Sequence, residues 1–532
     1  MSQFIKGYLA ALGSVIQTDI FILYRKRYTY IFLFVSLLYA FLSLPPRQLE
    51  MYEFLWKRFH YQYSPGFAGL SASVLFSINF SLFGFYLLKD RIRHDHKNTF
   101  GSVIGATLLI HRVYIYGKFI AAFLYLLSFL VSLYLGSLFM FFVFGECEFN
   151  AWQHAKPFII FGFPTVITTA SISITLGSLK RIPHKTINVV YMLTHFMLQL
   201  QTLSAMLNDS HQLITALFDY TGLATLYLSY GKVGIAYEGM SVGFFGYGVV
   251  DCASHLITVP LRDIPISTEL LVTRSFLIAF SLLLVFLSTQ WFKVGVVAKN
   301  PVRFSLPSLG SLNLLRFRGK ARRIPTFFSI ISAEMLLIYR LNRTAFGISL
   351  LVSLYSLTMP LASAHLFVTP ILFLIAAVIV SDSAVRERQT AMLDIRCSLP
   401  LASFRFFYKS IAVALFVPVS VLIPTLRFFI AGDPATSVGI IIGVIWIGMI
   451  AVTGSLLTSN EKLSLALITG YVLVSVLADT VDSVFIDFGT WRGYAHTDRW
   501  QLVVGSFFLV CFSGLIGHLN WQLIRRKARV TF

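Results

Sequence analysis

Long apolar runs recur along the whole chain and set the main limit on its fold. About twelve of them approach the roughly 20 mostly apolar residues that a helix needs to cross a bilayer. The predicted spans are about 28–44, 67–88, 119–144, 158–179, 187–204, 269–291, 345–361, 366–381, 410–428, 436–457, 462–478 and 501–518. Only 12% of the 532 residues are charged, against about 25% in ordinary soluble domains. The sequence therefore predicts an all-α polytopic membrane protein.

Basic residues predict the orientation of these spans. The formal net charge is +20, and Lys and Arg concentrate in segments that share one side when the number of spans is even. These segments are the N-terminus, 89–118, 180–185, 292–343, 386–409 and 525–529. Because basic loops mark the cytoplasmic side, we predict a multi-pass protein of the inner or plasma membrane with both termini in the cytoplasm. The basic residues are scattered between spans, so we predict membrane lipids and no nucleic acid as partners.

A basic, proline-containing linker divides the chain into two similar halves. Residues 293–324 contain Pro301 and Pro307 and show no apolar periodicity, which is typical of a loop. We predict a first six-span half over residues 1–292 and a second over residues 325–532.

The two halves share two sequence elements in the same order. Asp19 and Glu334 each stand five residues before the Tyr of a Tyr-Arg pair, in TDIFILYRKR and AEMLLIYRLNR. Residues 95–118 also align without gaps to residues 386–409, and a Lys ends both copies. Since each half has six spans and begins on the same side, the sequence predicts a parallel repeat of the kind that transporters carry.

The second copy resembles the coupling helix of type-2 ABC exporter membrane subunits, which carries a pattern like R-E-R-x-T followed by Leu-Pro. In RERQTAMLDIRCSLP the matching residues are Arg386, Glu387, Arg388, Thr390, Leu399 and Pro400. The first copy departs from the pattern, because His96 replaces the Glu and the Leu-Pro is absent.

This resemblance implies an exporter in which a pair of cytoplasmic ATPase subunits drives two permease halves, here fused in one chain. Each half would begin with an amphipathic connecting helix and carry a coupling helix after its second span. No G-x-x-x-x-G-K-[ST] phosphate loop occurs in the chain, so ATP and Mg²⁺ are expected on the partner, and the chain is predicted not to be an enzyme. The candidate contacts to the ATPase are Arg93, His96, Asn98, Thr99, Phe100, Arg386, Glu387, Gln389 and Thr390.

The resemblance also places a transport route between the second and fifth spans of each half. The candidate route residues are Asn79, Tyr86, Tyr191, His195, Gln199, Thr469 and Tyr471. An aromatic, weakly polar and uncharged route suits a lipid, a peptide or a hydrophobic natural product. Aromatic side chains that simply pack between helices are the alternative for any one of these residues. The long outer segment 205–268 would hold short helices that reach into the outer leaflet.

An ion-coupled secondary transporter is the alternative function. Such carriers place carboxylates near the membrane centre, whereas the predicted spans hold almost none, and His195 is the titratable residue well inside a span. Arg274 lies near an outer span end, from which its side chain can extend to the interface. No metal site is predicted. Cys147 and Cys252 both fall in predicted outer segments, where either a disulfide or two free thiols fits the sequence.

Overall fold

Helices account for most of the chain that the structure describes. The computed structural model describes residues 2–43, 52–56, 59–61, 63–89, 91–92, 95, 111–179, 182, 184–207, 219, 222, 245–249, 257–259, 268–291, 326–361, 364, 368–381, 383, 404–458, 464–465, 468, 472 and 499–530. The chain divides into two compact units. Unit 1 comprises Met1–Lys180, Val190–Val296 and Leu473–Val481, and unit 2 comprises Arg181–Val189, Val297–Val472 and Asp482–Phe532.

Eight α-helices are described before the linker. They are α1 (Ser2–Tyr24), α2 (Arg27–Ser43), α3 (Pro65–Leu88), α4 (His111–Phe144), α5 (Ala151–Pro157), α6 (Phe163–Ser178), α7 (His184–Leu207) and α8 (Thr268–Trp291). A π-helical turn, Phe158–Gly162, joins α5 to α6 directly after Pro157, where proline removes a backbone donor and weakens the regular ladder. Ser64 begins α3 by accepting a hydrogen bond from the amide of Phe67, as N-cap serines do.

Polar contacts fix the relative direction of the helices in unit 1. Ser281 and Ser288 of α8 donate to Thr168 and Thr175 of α6, each over 2.9 Å. Because both pairs advance by seven residues, α6 and α8 run parallel. If both helices cross a membrane, the chain must cross an odd number of times between them, and α7 is the long helix described in that interval.

The same argument applies to α2 and α4. Thr29 and Tyr125 hydroxyl oxygens lie 3.0 Å apart, and Ser36 Oγ donates to the Phe129 carbonyl over 2.8 Å. These pairs also advance in one direction, so α2 and α4 run parallel and α3 returns the chain between them. The alternation of directions agrees with the order of the predicted spans in this part of the chain.

Seven α-helices are described after the linker. They are α9 (Thr326–Leu341), α10 (Arg343–Tyr355), α11 (Thr369–Val380), α12 (Arg405–Phe416), α13 (Leu422–Ile430), α14 (Pro434–Thr458) and α15 (Arg499–Val530). A 3₁₀ segment, Val417–Val421, separates α12 from α13 and contains Pro418. Proline thus breaks the predicted span 410–428 at its middle.

The second unit begins with a sharp corner. The helical axis bends by 83° between Phe327–Leu341 and Arg343–Thr358. Asn342 occupies the corner and is fully buried, and its amide donates to the carbonyls of Ile338 (2.8 Å) and Ile379 (3.0 Å). The corner is therefore tied to the end of α11.

Directions in unit 2 resemble those in unit 1. Phe346 of α10 contacts Phe416 at the end of α12, with ring centroids 5.5 Å apart. Arg427 of α13 donates to the Met359 carbonyl just beyond α10, over 2.9 Å. Both pairs advance together, so α10 runs parallel to the α12–α13 pair, as α2 does to α4.

A small sheet joins two segments that were predicted to lie on the outer side. Its strands are β1 (Tyr52–Trp56), β2 (Phe59–Tyr61), β3 (Phe245–Val249) and β4 (Ile257–Val259), in the order β3-β1-β2-β4. β1 pairs antiparallel with β2 and β3, and β2 pairs parallel with β4. The all-α prediction omitted this sheet, because strands of three to five residues are too short to give a clear periodic pattern.

The number of long apolar helices is smaller than the sequence predicted. Among the described residues, eight helices are long and apolar enough to cross a membrane, or nine if the bent pair at Asn342 forms one span. Helices such as Thr29–Phe41 and Thr369–Val380 are apolar but shorter. At 1.5 Å per residue, the 12-residue α11 covers roughly 18 Å of a hydrocarbon core about 30 Å thick. The helices indicate a multi-pass membrane protein, while twelve spans and the parallel repeat stay predictions.

The N-terminal helix α1 is long and apolar but little buried in the protein. Residues Lys6–Tyr24 of α1 are themselves long and apolar enough to cross a membrane, although only 11% of the most apolar window is buried in the protein. Its role as the connecting helix of the first half therefore stays a prediction.

Candidate functional site

A buried charged cluster joins three elements of unit 1. It consists of Asp19 on α1, Arg91 and Asp95 after the end of α3, and Tyr114 and Lys118 on α4. Lys118 Nζ lies 2.7 Å from Asp19 Oδ1 and 2.6 Å from Asp95 Oδ2. Asp19 also pairs with Arg91, and the Tyr114 hydroxyl donates to Asp95 over 2.6 Å. One lysine thus links the first helix to the segment that follows α3.

The electrostatics of the charged cluster are balanced. Two cations face two carboxylates, and the side chains of Lys118 and Asp19 are only 6% and 5% exposed. Burial lowers the pKa of Arg91 to about 10, and the Asp95 carboxylate opposes that shift. Arg91 therefore keeps its charge near neutral pH. Removing any one of the four charged members would leave a buried charge without compensation, which is costly in a protein interior.

Unit 2 has a related but looser arrangement, in which Glu334 aligns with Asp19 but the ion pair is made by Arg405, four residues before the lysine that aligns with Lys118. Arg405 at the start of α12 lies 3.4 Å from Glu334 on α9, with side chains 20% and 12% exposed. Lys409, one turn further along α12, donates to the Ser383 carbonyl over 2.8 Å. In each unit, the acid that precedes the Tyr-Arg pair contacts a cation in the first turns of the helix that follows the predicted second span of that half.

The predicted route residues of the first half lie on α3 and α7. Tyr191 of α7 donates to the Ser81 carbonyl of α3 over 2.8 Å, and its ring stacks on Phe85 with centroids 3.7 Å apart. His195 is buried one turn further along α7, 6.2 Å from the Tyr191 ring. The structure therefore brings α3 and α7 together, and the rings of Phe85 and Tyr191 are in direct contact.

Two further predicted route residues, Asn79 and Tyr86, lie on α3 and are also buried. Asn79 donates from Nδ2 to the Tyr39 hydroxyl of α2 over 2.5 Å, and the Lys89 ammonium lies 4.8 Å from the centre of the Tyr86 ring. Asn79 thus joins α3 to α2 through this bond. This polar contact favours helix packing as its main role.

All nine predicted ATPase contacts, and some other candidate residues, lie outside the described part of the chain. The residues outside the described part are Arg93, His96, Asn98, Thr99, Phe100, Arg386, Glu387, Gln389, Thr390, Thr469, Tyr471 and Cys252. Gln199 lies on α7, but its side chain belongs to the same group. Cys147 is half-buried and forms no disulfide within the described residues, so its pairing with Cys252 stays a prediction.

The structure corrects the prediction for Arg274. Its side chain does not extend to the interface but is 5% exposed, and its Nη2 lies 3.7 Å from Asp219 Oδ2. The same nitrogen donates to the Asp219 backbone carbonyl over 2.5 Å. Asp219 Oδ1 in turn accepts a hydrogen bond from the amide of Gly222 over 2.9 Å. Gly222 has a φ of +88°, which glycine adopts readily. Asp219, in the long outer segment, therefore takes the place of water as the hydrogen-bond partner of the Arg274 guanidinium.

Sequence reasoning missed Arg91, Asp95 and Asp219. The sequence shows these charged residues beside or between apolar segments, which is a signal that they could be buried. Which oppositely charged residue each one contacts depends on tertiary packing and cannot be predicted from local sequence. Within the described residues, no group of three or more His, Cys, Asp or Glu side chains is placed to hold a metal ion.

Comparisons of the chain with known protein families, with curated proteins and with solved structures found no match.

Proposed function

We propose that this protein is the membrane subunit of an ATP-driven ABC exporter, with both permease halves fused in one chain. A separate pair of ATP-binding subunits would supply hydrolysis on the cytoplasmic side. The cargo would be an amphipathic or hydrophobic molecule such as a lipid, a peptide or a natural product.

The observation that carries this proposal is a contact, made in each unit, between the acid that precedes the Tyr-Arg pair and a cation near the start of the predicted third span of that half. Asp19 contacts Lys118, and Glu334 contacts Arg405. Each acid lies on a helix that immediately precedes a predicted first span, and each cation lies at the base of the predicted third span. Two halves that each anchor their first helix in this way support the layout of paired permease halves.

The corner at Asn342 supports the same layout. An 83° bend places α9 nearly at right angles to α10. A connecting helix along the membrane surface followed by a crossing helix requires such an angle. The coupling motif that begins at Arg386 then supplies the link to an ATPase, since rigid short helices transmit rigid-body movements.

Co-purification of an ATP-binding subunit tests the proposal. The tagged chain is extracted from its native membranes in mild detergent, and retained proteins are searched by mass spectrometry for Walker A peptides. We expect an ATP-binding subunit with the wild-type chain and its loss with Thr390→Arg, which introduces bulk and charge into the coupling motif. Leu351→Ala, an exposed apolar position on α10, is the matched control and should retain the subunit.

Two outcomes would contradict the proposal. The first is the absence of any ATP-binding subunit with wild-type protein under conditions that keep the chain folded. The second is transport by the purified chain alone, driven by a proton or sodium gradient, which would favour an ion-coupled secondary transporter.

A further inference from the structure

We propose that His154 is a proton-binding group that makes the outer joint of unit 1 weaken as the pH falls. The outer joint is the place where His154 of α5 contacts the start of α3, at Pro65, and the later part of α4, at Ser137. It lies at the ends of α3 and α4 that are far from the charged cluster, on the predicted outer side. These residues all belong to unit 1, and the inference does not depend on the proposed function.

His154 uses both ring nitrogens to join the three helices. Nδ1 lies 3.2 Å from the Pro65 carbonyl oxygen, and Nε2 lies 3.1 Å from Ser137 Oγ. Because a carbonyl oxygen only accepts hydrogen bonds, Nδ1 carries the proton when the ring is neutral. Nε2 then holds the lone pair and is the atom at which a second proton binds.

The Ser137 hydroxyl satisfies the ring in either protonation state. Toward a neutral ring it donates to Nε2, and its other acceptor is the Tyr134 carbonyl, 3.0 Å away. When Nε2 is protonated, its N–H donates to Ser137 Oγ and the hydroxyl proton turns to Tyr134. The ring of His154 therefore makes two hydrogen bonds in both states, so proton uptake gives it no additional bond.

Burial of the ring makes the charged state costly. His154 is fully buried, and a Cβ atom on Gly69 of α3 would collide with the His154 carbonyl, so α3 and α5 pack closely. Four aromatic rings surround the imidazole with centroids 5.2–6.4 Å away, namely Tyr134, Phe141, Phe149 and Phe158. An imidazolium would lose its hydration there, and aromatic faces replace only part of that loss. The neutral ring is therefore the form that stabilises the outer joint.

Other titratable groups lie on the elements around His154. They are Tyr63, Tyr134, Glu146, Cys147, Glu148 and Lys156. The Tyr134 ring is the one in contact with the imidazole, and Glu146 accepts a hydrogen bond from the Tyr63 amide over 3.3 Å. Histidine is the residue type whose ordinary pKa places its charge change between pH 5 and 8. A pH response in that range is therefore expected to come from His154.

Proton linkage sets the size of the expected effect. When the outer joint opens, His154 meets water and takes up a proton below about pH 6.5, the ordinary pKa of histidine. The closed joint keeps the ring neutral, so the opening constant should approach a tenfold rise per pH unit below 6.5. This amounts to about 30-fold between pH 7.5 and 5.0. The stability that the neutral ring contributes is thus present above pH 6.5 and is lost as the pH falls.

Hydrogen exchange of the full-length protein in detergent micelles tests the proposal. Amide exchange in peptides covering the first turns of α3 and α5 is measured between pH 7.5 and 5.0, and each rate is divided by the intrinsic rate at that pH. We expect opening to rise about 30-fold in the wild-type protein. His154→Asn keeps a donor near the position of Nδ1 but binds no proton in this range, so its opening should be larger at pH 7.5 and independent of pH. His154→Gln is the substitute if His154→Asn does not fold, and it should give the same flat profile.

Three control variants assign the pH response to one group. His518→Asn removes a half-buried histidine of α15 and should keep the 30-fold rise. Glu146→Gln and Lys156→Met neutralise charged neighbours in sequence and should keep it too. A wild-type protein whose opening does not change with pH would overturn the proposal, as would a rise that persists without His154. Loss of the rise in Glu146→Gln would assign the response to that carboxylate and refute the role of His154.

Discussion

Replacing either member of the Arg274–Asp219 pair should destabilise the protein by an amount that the structure allows us to calculate. The two side chains are 5% and 0% exposed, with 3.7 Å between Nη2 and Oδ2. Coulomb's law at this distance gives about 4.5 kcal/mol for an effective dielectric constant of about 20. Asp219→Asn removes the charge but keeps the bond from Arg274 to the backbone carbonyl, so we expect a loss of about 3–4 kcal/mol in unfolding free energy.

A double-mutant cycle separates the charge pair from general damage. Arg274→Met alone leaves a buried carboxylate and should cost about 3–5 kcal/mol. The Arg274→Met, Asp219→Asn double variant contains neither buried charge, so its cost should fall below the sum of the single costs by about 1–3 kcal/mol.

Chemical unfolding in mixed detergent micelles measures these free energies. Glu148→Gln, which neutralises an exposed carboxylate in the loop before α5, is the control and should change stability by less than about 0.5 kcal/mol. Single variants that match the control, or a double variant whose cost equals the sum, would show that the pair does not anchor the outer segment to α8.

Three further substitutions, with Gly7→Ala as a control, test the packing. Asn342→Ala removes both hydrogen bonds at the corner and should lower the unfolding free energy by about 1–3 kcal/mol. An unchanged midpoint of chemical unfolding would show that Asn342 does not stabilise the corner. Gly69→Ala places a methyl group against the carbonyl oxygen of His154 and should lower the unfolding free energy by about 1–3 kcal/mol. Gly7→Ala is the control, because Gly7 has open space around it. It should be neutral or stabilise the protein by up to about 1 kcal/mol. Ser288→Ala removes one interhelical bond between α8 and α6 and should cost about 0.6 kcal/mol. A cost above about 2 kcal/mol would show that this contact is more than an ordinary membrane hydrogen bond.

Helix positions could be predicted from local sequence because a helix satisfies its backbone within one segment. The predicted spans 67–88 and 269–291 match α3 and α8 to within a few residues. The break at Pro418 was equally local and could have been read from the proline itself. The short strands β1 to β4 could not, because a strand needs a partner distant in sequence and carries little periodic signal of its own.

The candidate site divides in the same way. The sequence alone predicted that Asp19 and Glu334 occupy equivalent places, and it shows a lysine at the end of each aligned element. Only the tertiary structure decided that Lys118 binds both Asp19, 99 residues away, and Asp95, whereas Lys409 binds a backbone carbonyl.

Arg274 shows the physical reason for that division. Its position near a span end follows from hydropathy, which depends on neighbouring residues alone. Whether its guanidinium meets water or a carboxylate depends on which segment packs against α8, and Asp219 lies 55 residues earlier in the chain. Composition and spacing thus determined the apolar helices and the matched positions, while the pairing of buried charges was decided by packing between segments that are distant in sequence.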